Sequence, residues 1–137
     1  MYRNILIPLE NTATDEVILN HIRPLARLVQ ARLTLLHVAD GFMARNQKRF
    51  GESEEMRQDL SYLDRREAEL TAEGFQVRAI LICGDPVKHI LDTAESENCD
   101  LIAMSTHGHR FLYDLIFGSV ATDVRHRTKI PVLLVKA

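Results

Sequence analysis

The chain has 137 residues, 46% of them apolar and 26% charged, and its formal net charge is −2. These values are typical of one globular domain and give no reason to expect nucleic acid or an anionic membrane as the main partner. No apolar run approaches the roughly 20 residues of a membrane span. The first residues enter a strand directly, without the apolar region of a signal peptide, so we expect a cytoplasmic protein.

Apolar runs and helical patterns alternate along the chain. We predict strands at residues 5–9, 33–38, 75–82, 100–104 and 131–135, with a loop at 39–51. Helices are predicted at 13–30, 52–73, 86–98 and 120–127. Pro24 is expected to bend or break the first helix. The second helix is charge-rich and carries a narrow apolar stripe of Met56, Leu60, Leu63 and Leu70.

Two helix ends have recognisable signals. Gly74 is predicted to end the second helix at its C′ position, and Asp85-Pro86 to begin the third as N-cap and first helical residue. Strands that alternate with helices form right-handed βαβ units. We therefore predict a single α/β domain over residues 1–137, with a doubly wound, Rossmann-like, five-stranded parallel sheet and helices on both faces.

The segment after the fourth strand carries the strongest functional signal. Ser105-Thr106-His107-Gly108 follows a buried strand and is separated by nine residues from Gly118-Ser119, which is predicted to open the last helix. Gly108 allows close approach of the backbone to a ligand, and a helix N-terminus with a hydroxyl attracts anions. This arrangement suits a phosphate. The alternatives are a plain turn at Gly108 and a packing glycine with an N-cap serine at Gly118-Ser119.

With these features the chain resembles the nucleotide-binding universal stress proteins over essentially its whole length. The family pattern is a glycine, two residues, a second glycine, nine residues, and then Gly with Ser or Thr. Here Gly108 and Gly118-Ser119 match it, as do the flanking residues 120–121 and 130–135, the opening residues 5–8 and the strand residues 35–38. The resemblance implies a fold like that of the adenine nucleotide alpha hydrolases.

Two positions depart from the family pattern. Ser105 replaces the first motif glycine, and Glu10 replaces an aspartate after the first strand. A misplaced hydrogen bond in a buried site costs on the order of 1–3 kcal/mol, which would weaken binding without abolishing it.

The resemblance implies a bound ATP or AMP, with Mg or Mn bridging its phosphates. Adenine would lie near Pro8, Leu9, Glu10 and Val38, and ribose near Ser105. Phosphates would contact the backbone at Gly108, His109 and Val120 and the hydroxyl of Ser119, with Arg110 or His109 pairing with a terminal phosphate. The complete predicted set is Pro8, Leu9, Glu10, Val38, Met104, Ser105, Gly108, His109, Arg110, Gly118, Ser119 and Val120.

The resemblance also implies a homodimer through the last strand, which begins at Pro131 and ends at Val135, and a nucleotide-linked regulatory role in the stress response. No residue that orients a hydrolytic water is identifiable, so at most a slow ATPase is expected. The main alternative is a nucleotide-free homodimeric interaction module of the same fold. His107 and His109 are too few for a zinc site. His37 is interpreted as a core histidine with a backbone partner.

Overall fold

A single five-stranded parallel sheet organises the chain. The computed structural model describes residues 1–40, 54–106 and 114–137. The strands run in the spatial order β3-β2-β1-β4-β5, and all their pairings are parallel. Their bounds are β1 Asn4–Leu9, β2 Arg32–Asp40, β3 Val77–Gly84, β4 Leu101–Thr106 and β5 Val132–Lys136. The predicted fold class is confirmed.

Within the described residues, four helices cover the two faces of the sheet: α1 Thr14–Val29, α2 Glu54–Ala72, α3 Pro86–Ser96 and α4 Asp114–Arg127. α1 and α2 pack on one face, around Ile18, Ile22 and Leu63. α3 and α4 pack on the other, around Ile90 and Val124. Because helices cover both faces, the central strands β1 and β4 are apolar almost throughout, as parallel strands usually are. No helix among the described residues is long and apolar enough to cross a membrane.

Polar side chains join three strands at the amino-terminal edge of the sheet. Asp100 accepts hydrogen bonds from the backbone N–H groups of Arg3 and Asn4, at 2.8 and 3.1 Å. The buried Asn4 side chain donates to the Glu97 carbonyl at 2.9 Å and accepts from Thr34 Oγ1 at 2.9 Å. These bonds tie the starts of β1, β2 and β4 together.

The predicted helix ends at Gly74 and Asp85 are confirmed. Gly74 has φ +100°, and its N–H donates to the Thr71 carbonyl at 3.0 Å. The Asp85 side chain accepts from the Lys88 N–H at 3.0 Å, with Pro86 as the first helical residue.

Three predictions about the helices need correction. α1 continues through Pro24, so the predicted break does not occur; the buried residues Ile22 and Ala26 on either side offset the cost of the missing hydrogen bond, about 3 kcal/mol. α2 buries Asp59 and Tyr62 as well as Leu63 and Leu70, whereas Leu60 is 43% exposed. α4 begins at Asp114 rather than at Gly118. A single glycine inside a helix costs only about 1 kcal/mol, so Gly118 does not have to mark a helix start.

The two cysteines are both unpaired. Each lies near the end of an apolar run, which predicts a buried side chain. Cys99 is buried, and burial raises the pKa of its thiol to about 11. Cys83 is only half-buried on the edge strand β3, so the prediction holds for Cys99 alone.

Candidate functional site: a pocket at the carboxyl ends of three strands

A pocket of about 200 Å³ opens where β1, β2 and β4 end. The chain leaves β1 toward β2 on one side, and β4 lies on the other, so the strand order reverses here. Ligands of open α/β sheets bind at such a reversal. The pocket is lined by Pro8, Leu9, Glu10, Leu36, His37, Val38, Ala39, Glu55, Asp59, Pro86, Ile90, Met104, Ser105 and Val120.

Seven of the predicted site residues lie together in this lining: Pro8, Leu9, Glu10, Val38, Met104, Ser105 and Val120. Gly108, His109 and Arg110 lie outside the described residues. Ser119 is exposed on α4 and does not line the pocket, and Gly118 lies within the same helix.

Because α4 begins at Asp114, the backbone N–H groups that can bind an anion are not those of the predicted helix start. Only the first four N–H groups of a helix lack intrahelical partners, and here they belong to residues 114–117. The backbone of Val120 is inside the helix, and Val120 belongs to the pocket lining. The predicted backbone contact at Val120 is therefore not supported, whereas the Ser119 hydroxyl and Gly118 remain predictions.

Asp15 fixes the loop that leaves β1. Its carboxylate accepts hydrogen bonds from the backbone N–H groups of Glu10 and Asn11, at 2.9 and 2.8 Å. Asn11 has the left-handed φ of +61°, which asparagine tolerates better than most residues. An acid in the first turn of a helix usually faces solvent, but Asp15 is almost completely buried. Its bonds hold the backbone of Glu10 at the rim of the pocket.

His37 joins the end of β1 to α2. Its Nδ1 lies 2.7 Å from the Leu9 carbonyl oxygen, and its Nε2 lies 3.1 Å from Asp59 Oδ2. Asp59 Oδ1 also accepts from Asn11 Nδ2 at 3.0 Å. The prediction of a core histidine with a backbone partner is confirmed, and the structure adds a buried carboxylate as its second partner.

The pocket wall formed by α2 and the β1–α1 loop is acidic. Glu10, Glu55 and Asp59 all belong to the lining, with His37 as the basic side chain among them. The Thr14 hydroxyl donates to Glu10 Oε2 at 3.3 Å. Carboxylates repel phosphate oxygens but accept hydrogen bonds from amino and hydroxyl groups. This end of the pocket therefore suits a base or a sugar, and not a phosphate.

Among the described residues, no three His, Cys, Asp or Glu side chains gather as metal ligands.

Sequence reasoning missed seven lining residues: Leu36, His37, Ala39, Glu55, Asp59, Pro86 and Ile90. Four of them carried a usable signal, since Pro86 begins a helix directly after β3, and Leu36, His37 and Ala39 lie within two positions of the predicted Val38. Glu55 and Asp59 carried none, because charged residues in a charge-rich helix normally face water.

Comparison with known proteins agrees with this architecture. The universal stress protein family model matches residues 1–136. Universal stress protein MJ0577 of Methanocaldococcus jannaschii is 31% identical, over 99% of this chain and 96% of that protein. Its solved structure superposes with a TM-score of 0.79, covering 100% of this chain and 97% of the other.

Two further solved structures carry nucleotides. A universal stress protein in complex with cAMP is 19% identical with a TM-score of 0.72, covering 98% of this chain and 97% of that one. The protein from Archaeoglobus fulgidus in complex with dAMP is 21% identical with a TM-score of 0.71, covering 98% of each chain. At these identities the likeness establishes the fold, and the match over nearly the whole chain establishes the family. The chain belongs to the universal stress protein family.

Proposed function

We propose that the chain binds an adenine nucleotide, ATP or AMP, and acts as a nucleotide-linked regulator in the stress response. The observation that carries this proposal is the pocket at the strand reversal, which brings together Glu10, Val38, Ser105 and Val120 from four separate segments. The cAMP and dAMP complexes of two proteins with this fold support the same ligand class.

The charges of the pocket give the nucleotide an orientation. The base and sugar would lie against the acidic wall, where N–H and hydroxyl groups find acceptors. The phosphates would point toward the β4–α4 connection, with Gly108, His109, Arg110, Gly118 and Ser119 as their proposed contacts and Mg or Mn bridging them. Pockets that hold a whole drug-sized ligand measure roughly 300–1,000 Å³. The described cavity of about 200 Å³ thus corresponds to part of the ligand.

A homodimer through β5 belongs to the same proposal. The Ala137 N–H donates to the Thr106 carbonyl, and the Pro131 carbonyl accepts from the Ile102 N–H. The backbone N–H and C=O groups of successive residues in a strand point to opposite sides. Those of Val132, Leu134 and Lys136 therefore point away from β4, toward a potential partner strand. Leu134 is 37% exposed on this edge, and an apolar edge strand needs cover.

We also propose a cytoplasmic location, because the two cysteines are unpaired and therefore suit a reducing compartment.

Thermal unfolding with and without ATP and Mg²⁺ tests the binding proposal. A micromolar site should stabilise the protein by about 4 kcal/mol at millimolar ligand. Ser105→Leu, which places a larger side chain in the pocket, should remove this effect. Ser96→Leu, the same change at an exposed position near the end of α3, should leave it intact.

An unmoved melting temperature in the unmodified protein would favour the second candidate, a nucleotide-free interaction module. Two observations support that candidate: Ser105 stands where a glycine is usual, and Glu10 already accepts a hydrogen bond from Thr14.

A further inference from the structure

The pocket at the strand reversal has two sides of different chemistry. On the side of α2 the lining carries carboxylates. On the side of α3 and α4 the lining is apolar and belongs to the hydrophobic cluster between the sheet and those helices: Leu36, Val38, Ile90, Met104 and Val120. A planar ring can lie on the apolar side, while amino and hydroxyl groups find acceptors on the other. A nucleoside placed here therefore turns its polar edge toward α2.

The three lining carboxylates differ in how they are held. Both oxygens of Asp59 have partners, since Asn11 Nδ2 donates to Oδ1 at 3.0 Å and His37 Nε2 lies 3.1 Å from Oδ2. Glu10 accepts a hydrogen bond from a threonine hydroxyl of the following loop. Glu55 makes no hydrogen bond or ion pair with any other residue that the structure describes. Its carboxylate can therefore face a ligand without breaking a contact of the fold.

Glu55 also lies in the first turn of α2, together with Glu54. The positive end of a helix attracts anions, and acidic side chains in the first turn offset that attraction. The two glutamates point to different places. Glu54 pairs with Arg57 Nη2 at 3.3 Å and lines a separate surface hollow, whereas Glu55 lines the pocket.

We propose that Glu55 is a specificity-determining residue, which restricts the site to nucleotides that carry phosphate only at the 5′ end. A phosphate on the 2′ or 3′ oxygen would belong to the nucleoside half of the ligand, where the carboxylates of α2 repel it. Free 2′ and 3′ hydroxyls can instead donate to these carboxylates. This inference rests on the proposed function, because it takes the nucleoside half to lie against the acidic side.

Three isomeric ligands test this discrimination. ADP carries both phosphates at the 5′ end, whereas adenosine 2′,5′-bisphosphate and adenosine 3′,5′-bisphosphate carry one of the two on the sugar ring. The affinities are measured by calorimetric titration without divalent cations, so that differences in metal binding do not enter. The unmodified protein should bind ADP at least about tenfold more tightly than either bisphosphate, because several carboxylates contribute to the repulsion.

Glu55→Gln removes the charge and keeps the size and one acceptor oxygen of the side chain. The preference for ADP should fall by up to about fivefold, as for one charge pair at an exposed position. The difference between this variant and the unmodified protein should shrink in about 0.5 M NaCl, because salt screens exposed charges. Glu54→Gln removes the same charge one position earlier and should leave the preference unchanged.

The result decides between the role of Glu55 and the binding proposal itself. Equal affinities of the three isomers in the unmodified protein, or a preference that Glu55→Gln leaves unchanged, would overturn the role of Glu55 while nucleotide binding stands. An equal effect of Glu54→Gln would do the same, since the charge would then act without facing the pocket. Absence of binding of all three isomers and of ATP would refute the proposed function, and the role of Glu55 with it.

Discussion

The Tyr62 hydroxyl donates a hydrogen bond of 2.5 Å to Asp15 Oδ2, joining α2 to the start of α1 across 47 positions of the chain. The same hydroxyl accepts from Arg66 Nε at 3.1 Å. Asp15 in turn holds the backbone of Glu10 and Asn11. The shape of the β1–α1 loop, and with it the rim of the pocket, thus depends on a helix far away in sequence.

Tyr62→Phe should lower the free energy of unfolding by about 2 kcal/mol, because a buried hydrogen bond to a charged group is lost. Urea unfolding would measure the change. Tyr2→Phe is the matched control, since the Tyr2 hydroxyl makes no hydrogen bond within the described part of the chain, and it should change stability by less than about 0.5 kcal/mol. Equal effects of the two substitutions would contradict the importance of the Asp15 contact.

The titration of Tyr62 should be displaced to high pH. Burial, followed by the hydrogen bond to Asp15, raises the pKa of Tyr62 from 10.0 to about 12. A pKa that is higher in the folded state means that the stabilisation is complete below about pH 10 and is lost between about pH 10 and about pH 12. Ultraviolet titration should show one late phenol, absent in Tyr62→Phe. A late step that persists in Tyr62→Phe would assign it to another tyrosine.

Gly84→Ala should destabilise the fold more than Gly74→Ala. Both glycines have positive φ, +144° and +100°, so both substitutions incur backbone strain. Only at Gly84 would the added Cβ meet another group, 2.5 Å from His89 Nε2, whereas nothing lies within 4 Å at Gly74. The excess should be no more than about 1 kcal/mol by thermal unfolding, because His89 Nε2 is the far end of a half-buried side chain that can turn away. His89→Ala in the Gly84→Ala background should recover that excess, and failure to do so would exclude the clash as its cause.

Leu134→Pro should convert the proposed dimer to a monomer. The Leu134 N–H points away from β4, so proline removes a donor from the free edge without removing a bond of the sheet. Light scattering coupled to size exclusion would measure the mass. Leu134→Ala keeps the amide and should remain at least partly dimeric. A monomeric unmodified protein would refute pairing through β5.

Elements with local signals were predictable from the sequence, and long-range polar contacts were not. The apolar runs of β1 and β4 and the helix ends at Gly74 and Asp85 depend on residues close together in the chain. Asp15 and Tyr62 find each other only after folding, and no periodicity marks such a pair. In a charge-rich helix Asp59 is expected to face water, because a histidine 22 positions earlier gives no sign that it will face this helix.

The prediction of where α4 begins was wrong for a different reason. Gly118-Ser119 fits both a helix start and a position inside a helix, and propensity differences of about 1 kcal/mol do not decide between them. The family pattern predicts these residues at the site, but it does not indicate where the first turn of their helix lies.

The hydrogen bonds of Asn4 and Asp100 at the amino-terminal edge of the sheet also affect what can change at its carboxyl-terminal edge. Because three strands are aligned at that far end by groups outside the lining of the candidate site, side chains at the carboxyl ends can be exchanged without loss of strand alignment. Replacements such as Glu10 and Ser105 can therefore accumulate at the site and retune its selectivity while the architecture stays constant.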